Sequence, residues 1–300
     1  MLRSVILAFA LLSCMVLAAV AAGVHYVSEY IRDHQYTVGE LETAVYRFDA
    51  STDDGGPIEA LATHVEMAAG VLQISPTAIA PADSAYARVE IADNVVELTT
   101  TVAYRVDDGQ GILTLLQAGS PGIPDVTGET EMVNEWRLQF GRSVPLSVTV
   151  EAGAGRLNLD LGGLTIDTFA VELGAGQLKL DLDGLTVNTL SVDVGAGEGV
   201  VDLRGAVLGD GRLELNNGIG TLALRLPLDV GVRMAAHSAI GNVDAPGLRY
   251  LEDEDVYVNA AYGPGEPAFD IDVSTGVGEV VVRSGDEPLP DDITDDENMQ

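Results

Sequence analysis

The stretch from Val148 to Leu226 decides the fold, because it repeats one pattern in four consecutive copies. The copies read VTVEAGAGRLNLDLGGLTIDT, FAVELGAGQLKLDLDGLTVNT, LSVDVGAGEGVVDLRGAVLGDGR and LELNNGIGTLALRL. Each copy contains a pair that ends in glycine, and successive pairs lie 21, 21 and 23 residues apart: Ala154-Gly155, Ala175-Gly176, Ala196-Gly197 and Ile219-Gly220. A repeat of this length in a soluble protein indicates stacked structural units.

Within each copy, apolar and polar residues alternate on both sides of the glycine pair. After the first pair, Leu157, Leu159 and Leu161 alternate with polar residues, and later copies place aliphatic residues at the same positions. Alternation with a period of two is typical of a strand that buries one face. The sequence therefore predicts an all-β fold, a β-solenoid or stacked-strand array with rungs of about 21 residues. An antiparallel sandwich with glycine-rich hairpins is the alternative, but it gives no reason for a constant spacing.

The net charge of the chain excludes some classes of binding partner. The 300 residues include 47 acidic side chains and carry a formal net charge of −32, and Lys179 is the only lysine. Such a surface repels nucleic acid and anionic lipid headgroups, which excludes DNA or RNA as a partner. The single cysteine, Cys14, allows no intrachain disulfide and no cysteine-based metal site.

The N-terminus predicts export. Residues 1–24 carry Arg3 and then an uncharged, mainly apolar run from Val5 to Val24, with Ala19-Val20-Ala21 matching the small-residue pattern of a signal-peptide cleavage site. The run is also long enough to cross a bilayer as a helix. We therefore expect an N-terminal apolar helix that is either a cleaved signal peptide or a retained membrane anchor, and no other contact with the membrane.

The same pattern extends beyond the four copies. Residues 65–74 (VEMAAGVLQI) copy residues 171–180 (VELGAGQLKL), and further glycine pairs occur at Ile240-Gly241 and Val277-Gly278. Residues 246–267 interrupt the pattern and predict an acidic loop. The predicted organisation is a signal peptide or anchor (1–24), a linker (25–41), an N-terminal β half (42–134), a repeat half (135–283) and a disordered acidic tail (284–300).

Two columns of acidic residues are the candidate binding site. They recur at the repeat spacing on the outward face: Asp160, Asp181 and Asp202 in one column, and Glu151, Glu172 and Asp193 in the other. Stacked strands lie about 4.8 Å apart, so like charges in a column repel each other. Weakly bound Ca²⁺ or Na⁺ along these columns would relieve the repulsion. A solvated acidic face screened by salt is the alternative reading, and we expect no other cofactor.

Several of these segments resemble a known family. The segments Val144–Val148, Gly153-Ala154-Gly155, Met67–Leu72 and Ser274–Gly278 are similar to the toast-rack domain family, which is related to the C-terminal domains of LiaF-type proteins and to candidate adhesins with GAG/GVG repeats. The resemblance covers about residues 40–283. It implies an all-β envelope protein, exported or tethered to the membrane, without catalysis, and it implies no site residues.

These observations lead to one expected function and two alternatives. We expect an exported, membrane-tethered cell-envelope protein that acts as a scaffold or protein-interaction surface, with an envelope protein or cell-surface component as its partner. The first alternative is an envelope-stress sensor that acts through a membrane partner. The second is a polysaccharide-active β-helix enzyme, which would require a cleft that combines carboxylates with a basic group. We predict no catalytic residues and no enzymatic activity.

Overall fold

The computed structural model describes residues 35–50, 56–77, 85–119, 123–124, 132–263 and 268–289, which form strands joined by turns without any helix in those ranges. The expected N-terminal helix and residues 290–300 lie outside the described residues. The strands are β1 (Gln35–Tyr36), β2 (Val38–Asp49), β3 (Ala60–Pro76), β4 (Ala85–Val95), β5 (Thr99–Asp107), β6 (Gln110–Ala118), β7 (Ile123–Pro124), β8 (Asn134–Phe140), β9 (Leu146–Asp160), β10 (Thr165–Asp181), β11 (Thr186–Asp202), β12 (Val207–Leu226), β13 (Gly231–Asp244), β14 (Arg249–Leu251), β15 (Val256–Val258) and β16 (Ala268–Ser284).

The structure contains one sheet of 14 strands, ordered β14-β15-β13-β16-β12-β11-β10-β9-β3-β8-β4-β2, with β6 paired to β3 and β5 to β6. Seven of them contain a glycine pair and stack in parallel, and we call these the long strands: β3, β9, β10, β11, β12, β16 and β13. The sequence repeat sets the register: Gly176 of β10 lies beside Gly155 of β9 and Gly197 of β11. The predicted all-β class and the stacking of the repeats are thus confirmed.

Each long strand changes direction at its glycine pair, which we call the corner. The corner glycine of every long strand has a φ between +133° and +151°, a conformation that L side chains rarely adopt. In β9 the buried residues before the corner have even numbers (Val148, Val150), whereas those after it have odd numbers (Leu157, Leu159). The corner therefore lets both arms of the strand point side chains into one interior.

The interior is a single apolar cluster that runs the length of the stack. Leu157, Leu178 and Leu222 are each at most 2% exposed and belong to this cluster. In β11 the same position is Gly199, and a Cβ there would come within 2.8 Å of Leu222 Cδ1, so the larger neighbour fills the space. Aliphatic side chains from successive strands therefore stack in columns that hold the rungs together.

The order of the last strands departs from the order of the sequence. The C-terminal strand β16 lies between β12 and β13, so β13 is the last long strand at that end of the stack. The acidic loop predicted for residues 246–267 instead contains the hairpin of β14 and β15, which pairs with β13 at Arg233 and Met234. This hairpin covers the first arm of β13 only.

The N-terminal half joins the same stack through β3, which aligns its Gly70 with Gly155 of β9. On its other side, β6 pairs with the first arm of β3, and β8 pairs with the second arm. Strand β2, at the edge, begins at Val38, inside the segment that the sequence predicted as a linker.

The predicted disordered tail does not begin at Ser284. Ser284 is the last residue of β16, and Asp286 forms an ion pair with Arg204. Leu289 is only 4% exposed and packs against Ala223 and Val281 on the outer face of the stack. Among the described residues there is no helix that could cross a membrane.

Candidate functional site

One column of carboxylates follows the outer face of the first arms. The register places Glu151 beside Glu66 on one side and Glu172 on the other, and Asp193 follows Glu172. We call these four residues the acidic ladder. Their alternation with buried Val150, Val171 and Val192 directs them outward. Because the strands are in register, the four carboxylates form one row across four adjacent strands.

The acidic ladder ends at an amide. Asn216, the next residue in the column, donates a hydrogen bond from Nδ2 to Asp193 Oδ1 at 2.9 Å, and Ser274 Oγ donates to Asn216 Oδ1 at 2.6 Å. Glu66, Glu151 and Glu172 make no side-chain hydrogen bond or ion pair within the described part of the chain. Three adjacent carboxylates therefore remain available to a ligand.

The ladder lines a shallow groove of about 520 Å³. The groove floor includes Gly153, Gly174 and Gly195, and Gln117 and Gly119 lie at its end. A Cβ at Gly174 would approach the carbonyl oxygen of Gly153 to 2.4 Å, so glycine is needed here for the close approach of the strands. Among the described lining residues there is no lysine, arginine or histidine.

The second column that the sequence predicted as a cation site lies at the turns and has a structural contact at each position. Asp160 Oδ1 accepts a hydrogen bond from the Gly162 N–H at 2.9 Å. Asp181 and Asp202 accept equivalent bonds from the backbone of Asp183 and Arg204, at 3.0 and 3.1 Å. These aspartates therefore stabilise the turns that connect one strand to the next.

Asp202 is also neutralised by arginines. Its carboxylate contacts Arg204 at 2.6 Å and Arg225 at 3.7 Å. Burial alone would raise the pKa of Asp202, but the hydrogen bonds and charges of Arg204, with the charge of Arg225, outweigh it and hold this pKa below its usual range. Of the six predicted ligands, Asp202 is therefore the one already occupied by cationic side chains.

The acidic ladder has a chemistry suited to cations. At a spacing of about 4.8 Å, each adjacent pair of charges repels by about 0.9 kcal/mol even at the dielectric constant of water. In the described residues, no three His, Cys, Asp or Glu side chains are grouped so as to hold one metal ion. A cation at the ladder would therefore be held by two neighbouring carboxylates of the row. Cation binding by Glu151, Glu172 and Asp193 stays a prediction.

Sequence reasoning missed Glu66 as a member of the ladder. The signal was present in the sequence, because residues 65–74 copy residues 171–180 and Glu66 aligns with Glu172 in that comparison. The sequence did not show that β3 lies directly beside β9, since 85 residues separate Gly70 from Gly155. Only that neighbour relation brings the fourth carboxylate into the row.

The sequence is similar to the family described as the N-terminal domain of toast_rack, DUF2154, which matches residues 39–185 and 168–225. No curated protein matches the sequence.

The solved structures that are similar to this chain include the following two. A candidate cell adhesion protein from Clostridium sporogenes is 21% identical with a TM-score of 0.57, and the match covers 82% of this chain and 100% of that chain. A candidate adhesin from Bacteroides fragilis is 14% identical with a TM-score of 0.35, over 83% of this chain and 99% of that chain. The similarity to the Clostridium sporogenes structure supports the stacked all-β fold described above.

Proposed function

Because the chain belongs to the toast_rack N-terminal domain family, which it matches over more than half of its length, we propose that it is an exported, membrane-tethered cell-envelope protein. In this proposal the stacked strands form a β-solenoid that serves as a scaffold or protein-interaction surface. The partner is an envelope protein or a cell-surface component, and the N-terminal segment supplies the contact with the membrane.

The observation that carries the proposal is the in-register stack. The corners of the seven long strands are aligned, and the strands share one apolar interior. Their outward side chains therefore form columns along a rigid stack. Columns of this kind present the same chemical group at a regular spacing, as the acidic ladder does. A rigid, repetitive outer surface suits recognition of another macromolecule, because little conformational entropy is lost on binding.

The groove supports binding over catalysis. Its titratable lining consists of the four carboxylates of the acidic ladder, and the described lining residues supply no basic group to work with them. Hydrolysis or elimination on a polysaccharide requires an acid and a base whose pKa values are set apart by their surroundings. The Clostridium sporogenes structure, to which the chain is similar, is described as a candidate cell adhesion protein. These points favour an interaction surface.

Export is supported by the residues that precede the fold. Arg3 and the run from Val5 to Val24 have the features of a signal peptide or a membrane anchor. The net charge of −32 suits a surface that meets the ions of an external medium rather than nucleic acid.

The proposal is tested by the location of the folded domain in cells. We would express the full-length chain in a bacterial host and treat intact cells with a protease that does not enter the cytoplasm. Where the host envelope has an outer membrane, that membrane is first made permeable. We expect digestion of the β domain, whereas a control that lacks residues 1–24 should stay protected until the cells are lysed. Equal protection of both chains would contradict export.

A further inference from the structure

The end of the stack formed by β13 is covered over one arm only. Strand β15 pairs with β13 at Arg233 and Met234, and in the described part of the chain no strand lies on the outer side of residues 235–244. Alternate backbone N–H and C=O groups of this segment therefore lack a strand partner. We call residues 235–244 the open edge. An edge of this length can accept one more strand.

The open edge has few of the features that usually prevent pairing. Proteins commonly protect edge strands with lysine, proline, bulges or inward charges. Residues 235–244 (AAHSAIGNVD) contain no lysine and no proline, and their one acidic residue is Asp244. Asp244 is neutralised by Arg283, whose Nη2 lies 2.8 Å from its carboxylate. In a chain of net charge −32, this edge is a nearly neutral surface.

A ridge of aliphatic side chains leads to the open edge. Ile219, Val277 and Ile240 are neighbours in register at the outer side of the corner, and they are 59%, 44% and 69% exposed. In β9, β10 and β11 the same position is alanine. The side chains become large only in the last three long strands, and Ile240 lies on the edge strand itself. One more strand with an aliphatic residue at this position would extend the ridge and cover Ile240.

Polar side chains inside the corner hold the ridge in place. Asn217 Nδ2 donates to the carbonyl oxygen of Gly197 at 3.3 Å, and Ser238 Oγ donates to that of Gly278 at 3.0 Å. Both bonds join the corner of one strand to the corner of its neighbour. The backbone around the ridge is therefore preorganised, so a partner loses less entropy on pairing with it.

An acidic turn borders the open edge on the side of the covered arm. The turn between β14 and β15 contains Glu252, Asp253, Glu254 and Asp255. Since Met234 pairs with Tyr257, continuation of this register places Asp255 opposite Ala236, the second residue of the open edge. Glu254 is compensated by Arg233 at 3.6 Å, and Asp255 accepts a hydrogen bond from Tyr250 Oη. A positive charge on the incoming strand would face this turn.

We propose that the open edge binds an extended segment of another protein, which adds a parallel strand to β13, places an aliphatic side chain over Ile240 and carries lysine or arginine beside the acidic turn. This inference rests on the proposed interaction function and names the surface and the chemistry of the partner. The net charge of −32 on each chain disfavours a second copy as the occupant, because two strongly acidic molecules repel each other.

The test uses a peptide probe and the full-length chain. The probe is an acetylated, fluorescently labelled peptide, KNNGIGTLALR, which copies residues 216–225 of β12 behind one added lysine. Its isoleucine then aligns with Ile240. The matched peptide carries glutamate in place of the added lysine. The protein variant is Ile240→Asp, and the control is Val96→Asp, which changes an equally exposed aliphatic residue (64%) at the other end of the stack.

We expect saturable binding of the lysine peptide, measured by fluorescence anisotropy, to the wild-type chain and to the Val96→Asp control. Binding should weaken at least tenfold for Ile240→Asp and for the glutamate peptide. Equal affinity for Ile240→Asp and wild type, or no binding of the lysine peptide to either, would overturn the inference. Sedimentation that shows a dimer lost in Ile240→Asp would assign the edge to a second copy and would also overturn it. None of these outcomes would change the result of the protease test of export.

Discussion

At the residue scale, the corner glycines are the positions that the fold cannot exchange. Gly176 has a φ of +140°, and a Cβ at this position would lie 1.9 Å from the carbonyl oxygen of Gly155. The requirement is therefore both conformational and steric, since backbone of the neighbouring strand occupies the space. It recurs in each long strand because the strands are in register.

We expect Gly176→Ala to lower the free energy of unfolding by about 3 kcal/mol or more, because it combines an unfavourable φ with a backbone clash. The measurement is urea unfolding followed by circular dichroism. The control is Gly247→Ala, which also has a positive φ but has no atom within 4 Å of the added Cβ. The control should cost about 1 kcal/mol, and equal losses for both would contradict the steric argument.

Asp181, which has no arginine partner in the described part of the chain, should act as a hydrogen-bond acceptor rather than as a charge. Asp181→Asn keeps an oxygen for the Asp183 N–H, so we expect its unfolding free energy to stay within about 0.5 kcal/mol of wild type. Asp181→Ala removes the acceptor and should cost about 1 kcal/mol. Thermal denaturation of the two variants distinguishes the roles, and a loss in Asp181→Asn as large as in Asp181→Ala would favour a charge-dependent role.

The pH dependence of Asp202 follows from its ion pairs. Its folded-state pKa is lowered below the ordinary value of 3.8, so the ionised carboxylate stabilises the fold fully above about pH 4 and loses this effect as the pH falls through the lowered pKa. Arg204→Gln should therefore reduce the melting temperature at pH 7 and much less at pH 2. A reduction of the same size at both pH values would show that the charge of Asp202 is not responsible.

At the scale of the element, the acidic ladder is a row of like charges that repel each other across adjacent strands. Glu151, Glu172 and Asp193 belong to three strands, and each is outward because its neighbours in the chain are buried. The repulsion is a property of the stacked strands, since the three residues are 21 positions apart in the sequence. Cations or salt should therefore stabilise the stack through this row.

We expect the melting temperature of the wild-type chain to rise when CaCl₂ or NaCl is added at low ionic strength. Glu172→Gln removes the charge in the middle of the row, so it should raise the melting temperature at low salt and reduce the response to salt. The control is Glu198→Gln, in a different column, where Gln177 donates to the carboxylate at 3.5 Å. A melting temperature that stays constant from low to molar salt would rule out the cation prediction.

At the scale of the whole molecule, the C-terminal segment closes the structure in two ways. Strand β16 is inserted between β12 and β13, so the last of the described strands lies inside the stack. Leu289 then returns over the outer face and covers Ala223 and Val281. The outward position that Leu289 covers is apolar in β12 and β16, whereas the position in register with it in β10 is Lys179. Strand β16 and Leu289 thus contact strands that precede them by tens of residues in the sequence.

We expect Leu289→Ala to lower the free energy of unfolding by about 2 kcal/mol, because it removes buried aliphatic atoms and leaves a cavity. The matched control is Glu287→Ala, an exposed neighbour, which should change it by less than about 0.5 kcal/mol. Chemical unfolding of both variants makes the comparison. Identical stabilities would mean that residues 285–289 contribute as little as the predicted disordered tail would.

The sequence by itself determined the strand class, the rung length, the register from β9 to β12 and the outward position of the acidic columns. It could do so because alternation and repeat spacing are local properties that neighbouring rungs share. Only the tertiary structure decided that β3 stacks on β9, that β16 enters before β13, and that a hairpin leaves half of β13 open. These contacts join segments far apart in the chain, and equivalent rungs could pack in more than one order with the same local pattern. The neighbours of each strand, and with them Glu66 in the ladder and Ile240 on the open edge, therefore depend on packing that no local pattern encodes.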